Sequence, residues 1–234
     1  MQFESTLLEG RFLKRYKRFF LDAELPDGSV ITAHSVNTGN LYGVQNVGAR
    51  VWLSRASNPN RKLAYTWEAV EVDGTMVGIN TSRTNKLAEE ALIRGLFPCF
   101  PASGLIVRRE VKYGQNSRVD FLVSTPDGKD CYLEVKNVHM RRTGTLAEFP
   151  DSVTERGAKH MYELAECVKA GHRAMVMFIV QRSDVRQFRA AADIDPAYDA
   201  ALRYAASGGV EVYAHACEVS PEAIAVSHPL EVLL

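Results

Sequence analysis

Paired cysteines are missing from this chain. Cys99, Cys131, Cys167 and Cys217 are widely spaced, form no Cys-x-x-Cys, and have no histidine nearby at zinc-ligand spacing. That argues against a structural zinc site and a disulfide framework, and the four thiols read as reduced and mostly buried. No stretch approaches the ~20 apolar residues that a membrane span needs, and the start, MQFESTLLEG, lacks the basic stretch and apolar core of a secretory leader. A cytoplasmic protein is expected. Excess charge is also missing: Lys plus Arg and Asp plus Glu both count 28. A nucleic-acid partner must therefore be held by a local basic surface and not by the field of the whole molecule. Prolines number only nine, there is no low-complexity segment or internal repeat, and 46% hydrophobic against 24% charged residues is the balance of a folded protein with a real core.

What is present reads as two units, since domains typically run ~100–150 residues and the chain has 234. From residue 5 to about 80, short alternating apolar runs are broken by Pro26-Asp27-Gly28, Asn46-Val47-Gly48 and Val72-Asp73-Gly74. About five strands in so small a unit must close on themselves to hide their edges, which predicts a small OB-type barrel, with an SH3-like barrel as the other solution. At Thr84 the period changes. Thr84 or Asn85 can cap a helix carrying Leu87, Ala88, Ala91 and Leu92, which stops near Gly95. Strands at about 105–112, 118–124 and 131–138 follow, then a helix from about 153 to 170, and then the nearly continuous apolar run from Arg173 to Val180, a central strand. A helix at roughly 196–207 and a strand near 209–215 complete a mixed α/β sheet covered on both faces.

The chemistry is concentrated in one hairpin, Ser117 to Lys136, turning at Pro126-Asp127-Gly128. A three-residue loop with Gly128 left-handed pairs Thr125 with Lys129, and then Val123 with Cys131, Phe121 with Leu133 and Val119 with Val135. The other face sets Asp120 opposite Glu134, Arg118 opposite Lys136 and Leu122 opposite Tyr132. A one-residue slip would destroy this separation of apolar from polar. Opposed carboxylates ~4.5–5.5 Å apart at Cβ repel unless a cation lies between them. Oxygen ligands without thiolate or imidazole favour a hard ion, Mg²⁺ or Mn²⁺. Asp120 and Glu134 are thus the candidate metal ligands and Lys136 the candidate partner of a phosphate oxygen or a bound water. A solvated strand face is the plain structural alternative, and Glu110-Val111-Lys112 repeats the spacing without an upstream aspartate. Glu110 reads as an exposed strand end; it and Glu89 are possible extra ligands.

With these residues in view, the chain resembles the sugar fermentation stimulation protein A family over essentially its whole length. The resemblance is carried by Arg15-Tyr16-Lys17-Arg18-Phe19, His34 to Gly39, Arg61-Lys62 with Tyr65-Thr66-Trp67-Glu68, and Ile79-Asn80-Thr81. It continues in Asn116 to Phe121, Glu134-Val135-Lys136-Asn137, and Phe149-Pro150-Asp151 through Lys159-His160. One departure is Ser35, where the family pattern has cysteine. The resemblance implies an N-terminal OB-like nucleic-acid-binding barrel, residues 1–82, and a PD-(D/E)XK nuclease-like αβββαβ domain, residues 83–234. It also implies that Asp120, Glu134 and Lys136 are the metal-binding and catalytic groups of a DNA or RNA nuclease. The alternative is a DNA-binding regulator of sugar metabolism that keeps the fold and does not cut.

The segment Arg11 to Phe20 has five basic residues, no acid and interleaved aromatics, a composition that neutralises phosphates and stacks on bases. Lys14, Arg15, Tyr16, Lys17 and Arg18 are therefore expected to bind nucleic acid, with Arg61 and Lys62 as a second cluster; Trp67 reads as core. A charged strand edge is the competing explanation. His34, Asn37, Thr38 and Asn40 around Gly39 most simply serve turn geometry. Arg141 and Arg142 read as exposed and available to phosphate. Arg118 is placed beside the scissile strand. So is Lys159 or His160: Lys159 shares the polar face of its helix with Arg156 and Glu163, and the alternative for His160 is a half-buried, hydrogen-bonded histidine.

Overall fold

The computed structural model describes residues 1–58, 60–101, 103–114 and 117–234. The first unit comprises β1 (Leu8–Tyr16), β2 (Phe20–Glu24), β3 (Val30–His34), β4 (Arg50–Arg55), β5 (Tyr65–Val72) and β6 (Thr75–Gly78). The strands lie in the order β3-β2-β1-β4-β5-β6, and a parallel pairing of Ala33 with Tyr65 and His34 with Thr66 joins β3 to β5. That contact closes five strands into a barrel of OB type, leaving no open edge among them. Alternating residues fill it: Phe12, Leu21, Leu53 and Trp67 are buried inside. Trp67 is core, as its apolar bulk requires.

One charge lies inside the same unit. Glu68 is fully buried, accepting from Ser54 Oγ at 2.6 Å, Asn80 Nδ2 at 2.9 Å and the Arg83 guanidinium at 2.7 and 3.1 Å. Asn80 caps the short 3-10 turn Thr81–Arg83 and Arg83 ends it, so the carboxylate fastens the barrel wall to α1 (Thr84–Ile93).

The second unit continues with β7 (Ile106–Tyr113), β8 (Ser117–Ser124), β9 (Asp130–Val138), β10 (Met140–Thr143), β11 (Leu146–Phe149) and α2 (Glu155–Lys169). It ends with β12 (Arg173–Val180), β13 (Gln187–Ala190), α3 (Pro196–Ser207), β14 (Glu211–Val219), β15 (Ile224–Pro229) and β16 (Glu231–Leu233). The main sheet runs β15-β14-β12-β9-β8-β7. As its apolar run demands, β12 is central and buried on both faces, pairing parallel with β9 and β14. Met161, Leu164 and Ala165 of α2 and Tyr198, Ala201 and Leu202 of α3 cover one face, and Leu87, Ala88, Ala91 and Leu92 of α1 cover the other. Caps fix the helix starts: Thr154 Oγ1 accepts from Gly157 N at 3.1 Å, and Asp195 Oδ1 from Tyr198 N at 2.9 Å with Pro196 beginning the helix. A small sheet, β10-β11-β13-β16, is added to the expected αβββαβ order. Among the described residues, no helix is long and apolar enough to cross a membrane.

The two units are tied directly: Gly78 N donates to Gln181 O at 2.8 Å, and Leu41 N to Asp151 Oδ2 at 2.8 Å.

Two histidines give the fold a pH dependence. Burial pushes His215, which meets the Phe97 ring edge-on, and His139 down to about 4 from the ordinary 6.5. The unfolded chain takes up these protons near 6.5, whereas the native state refuses them until about 4. Their contribution is therefore full above 6.5 and is lost progressively as pH falls through that window. Urea midpoints measured across it are expected to fall with acidification, and His215→Phe to flatten the slope.

Candidate active site

At the turn, the hairpin follows the predicted register. Thr125 N donates to Lys129 O at 2.9 Å, Gly128 adopts φ +79°, and the ladder pairs Val123 with Cys131, Leu122 with Tyr132 and Phe121 with Leu133. There the ladder ends. The expected pairs Asp120–Glu134, Val119–Val135 and Arg118–Lys136 do not form; β8 stays with β7 to Ser117 and β9 with β12 to Val138, so the strands diverge into a cleft. The physical reason is Asp120 itself: its Oδ2 accepts the Val135 N–H at 2.8 Å, taking a donor that a main-chain partner would have used. On the far side of β8, Glu110 sits at φ +54° between the Arg109–Phe121 and Val111–Val119 pairs, a left-handed kink at the level of Asp120.

The carboxylates are held from two sides. Asn85 Nδ2, on the first turn of α1, donates to Asp120 Oδ1 at 2.9 Å. Glu134, only 3% exposed, receives Lys136 Nζ on Oε1 at 2.7 Å and touches His160 Nδ1 of α2 through the same oxygen. Its Oε2 is buried without a hydrogen-bond partner. Burial, and then the charge of Glu134, push Asp120 above the usual carboxylate range, against the Val135 and Asn85 hydrogen bonds and Lys136. Burial would also raise Glu134, but the His160 hydrogen bond and Lys136 outweigh it and the net shift is downward. One carboxylate is thus held as an anion and raises its neighbour's affinity for a proton.

Around this pair, Lys159 Nζ donates to Ser117 Oγ at 3.3 Å and lies 3.5 Å from Glu163 Oε1. Burial and the charges of Glu134 and Glu163 raise Tyr113 well above its ordinary range. Asn85, Tyr113 and Ser117 were not legible as site residues; Asn85 read as a helix cap because asparagine is common there, yet its side chain serves Asp120. Asn116 lies outside the described residues.

The outlying candidates divide. Glu89 is bound by Arg109, which removes it as a spare ligand, and Glu110 is exposed as expected. Arg141 pairs with Asp73 and Asp184, and Arg142 with Glu148 and Asp193, correcting their reading as available phosphate contacts. Arg118 is exposed, paired across the β7–β8 ladder with Lys112.

A family profile described as the sugar fermentation stimulation protein RE domain matches residues 82–223, and one described as the SfsA N-terminal OB domain matches residues 13–79. The chain belongs to the sugar fermentation stimulation protein family. A homolog in Maricaulis maris is 54% identical over 100% of this chain and 99% of its own, and one in Rhodospirillum centenum 51% identical over 98% of each. Pyrococcus furiosus SfsA, solved in complex with Ca²⁺, superposes with TM-score 0.89 and 28% identity, covering 100% of this chain and 98% of that one.

In this family member the basic aromatic segment of β1 is partly structural. Arg15 is turned inward, its guanidinium donating to the carbonyls of Arg18 at 2.9 Å, Asn37 at 2.9 Å and Gly39 at 3.0 Å, which corrects its reading as a free phosphate contact. Tyr16 stacks on Phe20 at 5.3 Å, and Lys14 lies 3.4 Å from Asp22. Lys17 and Arg18 form the exposed β1–β2 turn, at φ +49° and +63°. Arg61 bonds Thr66 at 2.8 Å and lies 3.1 Å from His34 Nδ1, while Lys62 is exposed. Asn37 serves its turn, accepting from Gly39 N at 2.9 Å. Arg15→Ala is expected to cost about 1–3 kcal/mol in urea unfolding, the range for lost charged hydrogen bonds, whereas Arg18→Ala leaves stability unchanged and lowers the salt slope of nucleic-acid binding by about 0.9.

Proposed function

We propose that this protein is a divalent-metal-dependent nuclease hydrolysing DNA or RNA phosphodiesters, with a barrel unit, residues 1–82, presenting the strand to a nuclease-like unit, residues 83–234. The observation that carries this reading is the buried, unpartnered Glu134 Oε2 beside Asp120 and Lys136 in the cleft where β8 and β9 diverge. Two carboxylates and no thiolate suit a hard cation, Mg²⁺ or Mn²⁺, which binds through one or two carboxylates and keeps several waters. The Ca²⁺ bound to the Pyrococcus furiosus relative supports an oxygen-lined cation site.

Asp120 and Glu134 would hold the ion, which supplies activation of water and neutralisation of developing negative charge. His160 fixes Glu134 from α2, and Asn85 fixes Asp120 from α1. Lys136 is half-sequestered on Glu134 and turns its ammonium toward the non-bridging phosphate oxygens as negative charge builds there. Water oxygen bonds to phosphorus as one P–O ester bond breaks; the water gives up a proton to solvent and the departing oxygen takes one from solvent, so one water is consumed per ester cleaved. Arg118, Lys159, Lys17, Arg18, Lys62 and Lys14 supply local positive surface for the strand, with Tyr16 exposed at its edge. The test is incubation of pure protein with labelled single- and double-stranded DNA and RNA in Mg²⁺, Mn²⁺ or EDTA. Metal-dependent cleavage is expected; binding without any cleavage would leave the non-cutting DNA-binding role in its place.

A further inference from the structure

A cavity of about 220 Å³ lies where the barrel meets the nuclease-like unit, between the 37–39 loop, Thr81 and the chain from Asn137 to Thr154. It is smaller than the roughly 300–1,000 Å³ of pockets for drug-sized ligands, which limits the occupant to about one ring system. Its apolar wall includes Val138, Phe149 and Pro150. Two of the lining residues carry buried polar atoms that lack partners. His139 is 4% exposed and lines the cavity, yet its buried Nε2 makes no hydrogen bond, Asp151 Oδ2 standing off at 3.6 Å. Asn137 Nδ2 is likewise buried and unpartnered, while Oδ1 of the same side chain is held by Thr84 Oγ1 at 3.1 Å and Gln181 Nε2 at 2.5 Å.

The charges lining the cavity narrow the chemistry. Glu148 and Asp151 line it and, among the described residues, no Lys or Arg does, so nothing in the lining holds a phosphate. Glu148 is neutralised by Arg142 and Arg189, and Asp151 already accepts from Leu41 N, so nothing calls for a free cation. A neutral, flat, hydrogen-bonding ring remains. Extruded bases are read in this manner, by stacking on apolar walls and by hydrogen bonds along the pairing edge. Burial keeps His139 neutral down to about 4, leaving one ring nitrogen to donate and one to accept at ordinary pH.

We propose that this cavity receives a single nucleobase of the bound strand, turned out of its stack, with Phe149 and Pro150 against its face and Asn137 and His139 at its polar edge. The inference rests on the nucleic-acid reading above. Val138, which lines the pocket, follows Glu134 and Lys136 on the same face of β9, which sets the pocket next to the candidate site. Remaining lone pairs on Asp151 favour bases with an exocyclic amino group over thymine.

The test uses the full chain carrying Glu134→Gln, in EDTA, with duplexes containing 2-aminopurine at an unpaired position. Binding is expected to raise its emission as the base leaves the stack. Thr81→Phe and Ser152→Phe, at partly exposed lining positions, fill the cavity. They are expected to abolish that rise and to weaken binding of the bulged duplex about tenfold, a modest single-base contact, while leaving a fully paired duplex unaffected. His139→Gln, which keeps a polar side chain of similar size, guards against misfolding and is expected to give a partial loss. An emission rise unchanged in all three variants overturns the base pocket and leaves the cleavage reading standing. Failure to bind any nucleic acid at low salt overturns both.

Discussion

Glu134→Gln is expected to abolish metal-dependent cleavage while the protein remains folded and continues to bind nucleic acid. The substitution is nearly isosteric, and an amide oxygen can still accept from Lys136 and His160. What it removes is the charge. Glu134 is the carboxylate that its surroundings hold as an anion, through His160 and Lys136 working against burial. Loss of one preorganised electrostatic partner of a phosphoryl transition state costs about 10²–10³-fold in kcat, and loss of a metal ligand is expected to reach at least that. Asp120→Asn is expected to match it, and the double variant to be little worse than either, since residues acting as one unit are not additive. The measurement is single-turnover cleavage of a labelled substrate in Mg²⁺ and Mn²⁺, with binding followed separately in EDTA. Activity that survives both substitutions points to a contaminant and sinks the assignment.

Glu68→Ala carries the second large effect, on stability. Its carboxylate is fully buried and satisfied by Ser54, Asn80 and Arg83. Removing one partner of a buried ion pair leaves the other uncompensated and costs about 3–5 kcal/mol, a large part of the roughly 5–15 kcal/mol that a native protein has. Glu68→Gln keeps the shape and some hydrogen bonds and is expected to fall between. Urea unfolding followed by Trp fluorescence reads both, because Trp67 is the preceding residue of β5. A loss below about 1 kcal/mol, the level of a surface pair, would show that Arg83 finds water instead.

The barrel and the main sheet were legible because their signals are long and redundant. Alternation with turn glycines gave the barrel strands, and the unbroken run of β12 gave the centre of the sheet. The four-residue strands β10, β11 and β13 were not legible, since so short a run has no readable period. In the candidate site, Asp120, Glu134 and Lys136 were visible as a pattern, and the register near the turn followed from it. Their divergence was not, because it depends on an aspartate side chain capturing a main-chain donor, a choice that no hydrophobic pattern records. Arg15 misled for a related reason: an arginine among basic and aromatic residues looks like phosphate-binding surface, and only the positions of three carbonyls show it bracing a loop.

The end of the hairpin ladder at Phe121 and Leu133 bears on the metal site proposed above. Paired strands would lock two opposed carboxylates at the fixed spacing of a β ladder, ~4.5–5.5 Å between Cβ atoms. Here Asp120 travels with β7 and β8, and Glu134 with β9 and β12. Pairing between β8 and β9 stops at Phe121–Leu133, and beyond it one carboxylate is steadied by α1 through Asn85 and the other by α2 through His160. Under the metal-dependent reading proposed above, the gap between the two ligands is set by how these helices pack and not by ladder geometry.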